Sequence, residues 1–273
     1  MLQELTVDVF VPNDSFLSRD KHIALITGAN GSGKSIYIKQ VGLLVYLAHV
    51  GCWLPCERAI IGLTDQILTR VASVETVAAP LSAFALDLTQ ISRMVSLCTP
   101  RSLCLVDEFG KGTSPTDGMA LMGALLKWFA DHPSRLLAVL HFQEILHKDV
   151  VDLDRLSCVT TFKMEVHNDS EVEGDDIMKA IPLYKLRVGL ATSSAGLTCA
   201  EQAGVPVAVT RRAKEIVDCV TNGTFVSPLR QKCRSSLEKT SKSILSHFLS
   251  VRNWEECSAS QLSELKSLLQ QYK

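Results

Sequence analysis

Short apolar runs alternate with stretches of helical apolar spacing from residue 22 to residue 188. The continuous runs predict buried β-strands at residues 22–27, 66–71, 102–106 and 136–140. Apolar positions three or four residues apart predict helices at residues 34–50, 82–95 and 117–130. Two weaker segments, residues 162–166 and 183–188, are typical of edge strands. This alternation predicts an α/β fold with a mostly parallel central sheet.

Apolar stripes predict which helix faces pack on neighbouring elements. The stripe of the helix at residues 82–95 consists of Phe84, Leu88, Ile91 and Val95. A further helix begins after Pro206, carries a stripe of Val209, Ala213, Ile216, Val217 and Val220, and ends at Asn222-Gly223. Residues 236–251 and 260–272 predict two more amphipathic helices. These patterns divide the chain into a larger domain at residues 1–221 and a small helical element at residues 224–273.

Composition narrows the classes of protein that this fold can serve. The 273 residues are 47% hydrophobic, enough for a large core, and carry a net charge of −1, so no global attraction to nucleic acid is expected. The longest apolar stretch, residues 41–55, is too short to span a bilayer, and residues 1–20 lack the apolar region of a signal peptide. The nine cysteines form no CxxC pair, which favours reduced cysteines over a disulfide framework or a metal site.

A phosphate-binding motif lies between the first predicted strand and the first predicted helix. Residues 28–35 read GANGSGKS and match G-x-x-x-x-G-K-[ST] in the structural context that this motif requires. Its glycines let backbone N–H groups surround a phosphate chain, Lys34 reaches the outer phosphates, and the Ser35 hydroxyl is suited to Mg²⁺. The alternative is a glycine-rich turn with an incidental lysine.

Two adjacent carboxylates end the predicted strand at residues 102–106. Asp107 and Glu108 would be costly at the end of a buried strand unless a positive charge lies beside them. In folds with this phosphate loop, the first carboxylate holds Mg²⁺ near the phosphates, a role we assign to Asp107. Glu108 would point to the other side of the strand end, where it could act as the general base for a water molecule.

These motifs together resemble the ATPase domain of the MutS proteins, the DNA mismatch-repair ATPases and their meiotic relatives. The resemblance covers about residues 5–221. The motifs that carry it, in the family's order, are GANGSGKSIYIKQ at 28–40, LTRV at 68–71, SAFALD at 82–87, VDEFGKGTSPTDG at 106–118 and residues 193–196. The pair GKSIY and DEFGKGT most resembles the meiotic branch, MutS homologue five. The resemblance implies an ABC-like P-loop ATPase with a helix-turn-helix type dimerisation element at residues 224–273.

The resemblance also implies which residues hold ATP and Mg²⁺. Phe10 would stack on the adenine, although alone it reads as a core aromatic, and Tyr184 would lie near the second face of the ring. His141, which otherwise reads as a structural histidine at a strand end, would sense the γ-phosphate. Lys34, Glu108 and His141 are the implied catalytic residues, and Ser35 and Asp107 the implied Mg²⁺ ligands. The implied phosphate cradle consists of Gly28, Asn30, Gly31, Ser32, Gly33, Lys34 and Ser35.

A third group of residues is implied to act on a partner subunit. Ser82 opens the helix at residues 82–95, so its plain interpretation is a helix N-cap. In the family this position reaches across a dimer to the partner's γ-phosphate. The loop at residues 110–118 would run along the same interface, with Thr113 and Ser114 as polar contacts, and would re-form its contacts as ATP binds and leaves.

The chain departs from the family pattern in ways that affect turnover more than nucleotide binding. Ile36 replaces a second hydroxyl after Ser35 and removes a hydrogen bond worth about 0.5–1.5 kcal/mol. Pro80-Leu81 replaces Gly-Arg before Ser82, residues 71–79 lack the usual glycine and paired acids, and Val139-Leu140 replaces a small polar pair before His141. The family's clamping and lever domains, expected before this region, do not precede Phe10, so we interpret the chain as a fragment or truncated product.

The resulting expectation is a nuclear motor domain that binds and hydrolyses ATP and drives a DNA clamp in meiotic recombination. Its partners would be a related meiotic MutS subunit, as a heterodimer, and branched DNA bound through domains absent here, with no membrane. Alternatives are an assembly module that hydrolyses little ATP, or a mismatch-repair protein of the MutS type. A transporter or chromosome-structural ATPase would need an LSGGQ-type signature, and PLSAFALD at residues 80–87 is not one. A small-molecule kinase would need a lid-like arginine cluster.

Overall fold

A computed structural model describes residues 10–71, 82–141, 143–146, 151–152, 155–169, 179–191 and 195–224, with isolated helical positions at 245, 248, 263 and 266. Its strands form one six-stranded sheet in the order β2–β3–β4–β1–β5–β6. The strands are β1 (Ile23–Thr27), β2 (Ile67–Arg70), β3 (Leu103–Asp107), β4 (Arg135–Val139), β5 (Val159–Asp169) and β6 (Lys179–Val188). Four neighbouring pairs are parallel, namely β2–β3, β3–β4, β4–β1 and β1–β5. Strand β6 is antiparallel to β5.

Helices lie between the strands, as the alternating sequence pattern predicts. They are α1 (Lys34–His49), α2 (Ala83–Leu97), α3 (Pro115–Asp131), α4 (Gly196–Gln202) and α5 (Val207–Thr221), with a 3₁₀ turn at Gln143–Leu146. Helix α3 begins two residues earlier than the predicted residue 117, because Pro115 suits the first helical turn and the Ser114 hydroxyl accepts the Asp117 N–H at 3.2 Å.

The register of the parallel strands brings several chain segments together at one edge of the sheet. Val139 of β4 is opposite both Asp107 of β3 and Ile26 of β1, and Arg70 of β2 is opposite Val106. The carboxyl ends of these strands therefore share one edge. Ligands of open α/β sheets bind at this edge.

The hydrophobic core occupies both faces of the sheet. Alternate residues of β1, β3 and β4 point to opposite sides, and every residue of β1 and β3 is buried. One face packs on α1 through Tyr37, Ile38 and Val41, and the other packs on α2 and α3 through Met94, Leu126 and Phe129. The central strands are thus held from both sides.

The prediction of an edge strand at residues 162–166 is wrong. This segment belongs to β5, which pairs with β1 on one side and with β6 on the other. The mixture of polar and apolar residues in this segment is typical of an edge strand. The strand at this edge of the sheet is instead β6, as predicted for residues 183–188. The β5 residues beyond Lys163 pair only with β6.

The predicted apolar stripe of α2 is wrong in one position. Leu88 is 38% exposed, whereas the neighbouring Asp87 is buried together with Ile91 and Met94. The carboxylate of Asp87 is paired with the buried guanidinium of Arg70. An ion pair therefore occupies a core position that apolar periodicity alone assigns to a leucine.

The chain divides into two compact units, Met1–Thr210 and Arg211–Lys273. Helix α5 confirms the predicted helix after Pro206, but its apolar stripe is exposed: Val209 by 56%, Val217 by 50% and Val220 by 69%. Of the helices predicted at residues 236–251 and 260–272, only the helical positions 245, 248, 263 and 266 are described, and residues 72–81 lie outside the described residues. Among the described helices, none has the length and apolarity needed to cross a membrane.

Candidate functional site

The phosphate loop leaves the end of β1 and enters α1 in a conformation that requires its glycines. Gly28, Gly31 and Gly33 have φ angles of 148°, 74° and 95°, which L side chains rarely adopt. A Cβ on Gly28 would also lie 3.0 Å from the Cβ of Met164. The Ser32 hydroxyl donates to the Ala29 carbonyl at 2.7 Å and closes the turn from inside.

Lys34 is the buried cation of the loop. Its side-chain Nζ donates to the carbonyls of Gly28 and Ala29 at 2.9 and 2.8 Å, and the residue is only 6% exposed. Burial lowers the pKa of the Lys34 ammonium, and the nearby carboxylates of Glu108 and Asp107 oppose that shift. The loop therefore holds a positive charge that attracts the nearby carboxylates and would also attract a phosphate group.

Asp107 has the donor chemistry of a metal ligand. Its residue is 5% exposed at the end of β3, and its Oδ1 is buried with no hydrogen-bond partner among the described residues. A buried carboxylate oxygen without a partner is costly unless a cation satisfies it. With the half-buried Ser35 hydroxyl at the start of α1, it supplies the oxygen ligands that Mg²⁺ prefers.

Glu108 is held in place by its backbone and lies beside the side chains of Lys111 and His141. Its φ of 51° is left-handed, and its N–H donates to the Val139 carbonyl at 3.1 Å. The Lys111 ammonium donates to its Oε2 at 3.0 Å, and the His141 Nδ1 lies 3.7 Å from its Oε1. The structure therefore brings together Glu108 and His141, which are distant in sequence.

The charges around Glu108 keep it ionised. Burial alone would raise the pKa of its carboxyl group, but Lys111, His141 and Lys34 hold that pKa below its usual range. An ionised carboxylate can accept a proton from water, which a protonated one cannot.

Glu108 and the phosphate loop line one common cavity of about 210 Å³. Glu108 thus faces the loop. The loop residues that line the cavity are Asn30, Gly31, Ser32, Gly33, Lys34, Ser35 and Ile36.

Tyr184 lies against the phosphate loop. A Cβ on Gly33 would be 3.3 Å from the Tyr184 ring, which is half exposed, and the φ of Tyr184 is 54°. Asn13 fixes this part of β6, because its side chain donates to the Tyr184 carbonyl and accepts the Leu186 N–H, each at 2.7 Å. The half-buried Phe10 belongs to the same N-terminal segment as Asn13. Sequence reasoning missed Asn13, since nothing in its local sequence marks it.

Ser82 and Ser114 are both helix caps. The Ser82 hydroxyl accepts the Ala85 N–H at 3.2 Å and the residue is exposed, so the N-cap interpretation is confirmed. Ser114 is exposed and Thr113 is half-buried in the loop that follows Glu108. A Cβ on Gly112 would lie 3.1 Å from the Cβ of Phe84, so this loop packs on the first turn of α2.

Arg70 links the carboxylate strand to α2. Its side chain donates to the backbone carbonyl of Asp107 and to the Asp87 carboxylate. Both charged side chains are almost fully buried, at 7% and 5% exposure. Sequence reasoning assigned neither residue a role, although both lie within the motifs LTRV and SAFALD.

Comparison with known proteins assigns the greater part of the chain to one domain type. Residues 24–221 match the family model for MutS domain V. The chain is 34% identical over 265 residues to MutS protein homolog 5 of Saccharomyces cerevisiae, covering 87% of the chain and 28% of that protein.

Bacterial proteins match a shorter part of the chain at comparable identity. The DNA mismatch repair protein MutS of Salinibacter ruber is 38% identical over 214 residues, covering 77% of the chain and 22% of that protein. That of Geobacillus thermodenitrificans is 34% identical over 214 residues, covering 78% of the chain and 22% of that protein. The chain spans about a quarter of the length of the curated relatives it matches.

Proposed function

The chain belongs to the MutS family, and from that membership we propose that residues 1–221 form an ATPase domain that drives a DNA clamp. The observation that carries the proposal is the arrangement at the ends of β1, β3 and β4. A buried lysine, a buried carboxylate oxygen without a partner and an ionised glutamate lie around one glycine-rich loop. This set combines cation, metal ligand and base, as ATP hydrolysis requires.

The residues of the candidate site have separate roles in this proposal. Backbone N–H groups of residues 31–35 and the Lys34 ammonium would bind the phosphates, and Tyr184 with Phe10 would bind the adenine. Ser35 and Asp107 would hold Mg²⁺, which neutralises charge on the outer phosphates when bound. Two of the three N–H donors of the Lys34 ammonium contact loop carbonyls, so a third donor would be left for a phosphate oxygen.

Glu108 and His141 would handle the attacking water. The Glu108 carboxylate would accept a proton from the water while the water oxygen attacks the γ-phosphorus. The bond from the γ-phosphorus to the leaving β-phosphate oxygen breaks in the same step. The His141 Nδ1, 3.7 Å from Glu108, orients that carboxylate and lies near the developing phosphate charge. The backbone hydrogen bond from Glu108 to Val139 keeps the base aligned with β4.

Ser82 would complete a second active site in a partner subunit. Ser82 is exposed at the start of α2, where its hydroxyl would reach the γ-phosphate bound by the partner. Thr113 and Ser114 would contact the partner through the same surface. The exposed stripe of α5 and residues 224–273 would supply the remaining dimer contacts.

The biological setting of the proposal follows the yeast relative. Similarity to MutS protein homolog 5 along most of the chain favours a nuclear role on branched DNA in meiotic recombination, as a heterodimer with a related MutS subunit. The similarity to bacterial mismatch repair proteins supports mismatch repair as the alternative setting. Contact with DNA would be made by other parts of the full-length protein, since the net charge of this chain is −1.

A second candidate function is an assembly module that binds ATP and hydrolyses little of it. One observation favours it: Lys111 occupies one oxygen of the proposed base, Glu108, at 3.0 Å. In that case nucleotide binding alone would regulate association.

Single-turnover hydrolysis separates the two functions. Glu108→Gln keeps the shape of the side chain but removes the base, so ATP should bind with unchanged affinity while hydrolysis falls about 10²-fold or more. Asp107→Asn should instead weaken the Mg²⁺ dependence of ATP binding. The matched control is Glu57→Gln, an exposed carboxylate outside the cavity lining. Equal hydrolysis by the parent, Glu57→Gln and Glu108→Gln would reject the catalytic proposal.

A further inference from the structure

Two thiols are in contact toward the amino-terminal end of β3, away from the phosphate loop. Cys98 follows the last residue of α2, and its N–H donates to the Met94 carbonyl at 3.0 Å. Cys104 lies on β3 and is fully buried. The two Sγ atoms are 3.5 Å apart, and Cys98 is half-buried.

The surroundings of this pair make the two sulfurs unequal. A hydrogen bond from the Cys104 S–H, with the Ser134 and Ser102 hydroxyls beside it, lowers the pKa of the Cys98 thiol to about 6, against the effects of burial and of Asp65. The same hydrogen bond and burial raise the pKa of Cys104. The two opposite pKa shifts favour Cys98 as the sulfur that loses its proton and Cys104 as the sulfur that keeps it.

The backbone between the two cysteines holds both sulfurs in position. The Thr99 N–H donates to the Ser102 hydroxyl at 2.9 Å, and the Ser102 N–H donates to the Thr99 carbonyl at 3.0 Å, which closes a tight turn. A disulfide requires the sulfurs to approach to about 2.05 Å. The 3.5 Å contact can close by side-chain rotation and a small shift of the α2 terminus, which ends at this turn.

We propose that Cys98 and Cys104 form a peroxide-sensitive thiol pair that closes to a reversible disulfide. The Cys98 sulfur attacks one peroxide oxygen, the O–O bond breaks, and the leaving hydroxide takes a proton from solvent to become water. The sulfenic acid formed on Cys98 is attacked by the Cys104 sulfur, so the S–S bond forms as the S–O bond breaks. The Cys104 proton leaves with that oxygen as a second water, and the two thiols supply the two electrons that reduce the peroxide.

The disulfide would join two elements that lead to the proposed catalytic groups. Helix α2 begins directly after Ser82 and ends directly before Cys98, while β3 contains Cys104 and ends at Asp107. Oxidation would therefore fix the far end of α2 to the carboxylate strand.

Peptide mapping after peroxide treatment tests the pair. The full chain is treated with hydrogen peroxide at a few equivalents, alkylated, digested without reductant and examined by mass spectrometry. We expect a linked Cys98–Cys104 peptide that is lighter by two hydrogens than the separate peptides and disappears on reduction. The double variant Cys52→Ser/Cys56→Ser removes two exposed cysteines and should keep the same link.

Single variants then assign the roles of the two sulfurs. Cys98→Ser should abolish the link, while Cys104→Ser should leave a sulfenic acid on Cys98 that dimedone traps. If Cys104→Ser fails to fold, as judged by circular dichroism, the link in the parent chain and its loss in Cys98→Ser decide the question. Recovery of both cysteines as free thiols from the parent chain, or a link from either cysteine to a different one, would overturn the proposal.

Discussion

Lys34 is a charged residue whose burial is explained by function more readily than by stability. Its ammonium satisfies two loop carbonyls, yet burial lowers its pKa, so the fold holds a cation there at a cost. A phosphate oxygen would form a stronger, charge-assisted hydrogen bond with the same ammonium.

Lys34→Ala should therefore weaken ATP·Mg²⁺ binding about tenfold or more, the worth of a charged hydrogen bond. Isothermal titration calorimetry measures the change. Lys39→Ala, on the exposed side of α1, is the matched control and should bind as the parent does. Identical affinities for all three chains would mean that the loop does not bind phosphate through its lysine.

The Glu108–Lys111 pair gives a prediction for pH dependence. Lys111 is a main reason why the pKa of Glu108 lies below its usual range, so Lys111→Met should raise that pKa. A base with a higher pKa loses activity sooner as pH falls, so the acidic limb of the turnover profile should move to higher pH. For the same reason, the pair stabilises the fold above the ordinary glutamate pKa, and this contribution is lost as pH falls through the lowered value.

Lys127→Met is the control for that experiment, because it removes an exposed ion pair with Asp131. Its pH–rate profile should match the parent profile. An acidic limb that is the same in Lys111→Met and Lys127→Met would show that Glu108 is not the titrating base.

At the scale of elements, the buried pair of Arg70 and Asp87 fastens α2 to the sheet. Asp87→Ala would leave the guanidinium buried without its counter-charge, which costs about 3–5 kcal/mol in free energy of unfolding. Asp131→Ala breaks only an exposed pair and should cost about 0–1 kcal/mol. Urea unfolding of the two variants measures the difference, and similar losses would contradict a structural role for the buried pair.

The elements that could be predicted from the sequence are those whose burial follows from the spacing of apolar residues within one short segment. The strands β1 and β3 are continuous apolar runs because both of their faces are covered, and α1 begins where the glycine-rich loop ends. The phosphate loop and the pair Asp107–Glu108 were predictable because their residue types are adjacent in the chain.

Features that depend on distant pairing could not be predicted in the same way. The interior place of β5 depends on its register with β1, and the burial of Asp87 depends on an arginine from another strand. The contact between Tyr184 and Gly33 joins segments at opposite ends of the domain. Charge and polarity in one window do not reveal a partner that arrives from elsewhere.

At the scale of the molecule, the proposed composite site predicts that a change in this chain alters hydrolysis in its partner. In a mixed dimer whose partner alone binds ATP, Ser82→Ala in this chain should leave ATP affinity unchanged and reduce turnover about 10-fold or more, as expected for a lost transition-state hydrogen bond. The matched control is Thr89→Ala, which removes an exposed hydroxyl bonded within the same helix and should leave the partner's turnover unchanged. Full turnover with Ser82→Ala would leave Ser82 as an ordinary cap.

The left-handed backbone conformation of Glu108 lowers the stability of the fold at a position where the proposed activity requires a glutamate. A glutamate with a φ of 51° is strained by about 1–2 kcal/mol relative to residues that adopt this conformation readily, such as glycine. Variants chosen only for heat resistance should therefore accumulate glycine or asparagine at position 108. Each such chain would gain robustness and lose its base, so selection of this domain for thermal tolerance must screen for hydrolysis in every round.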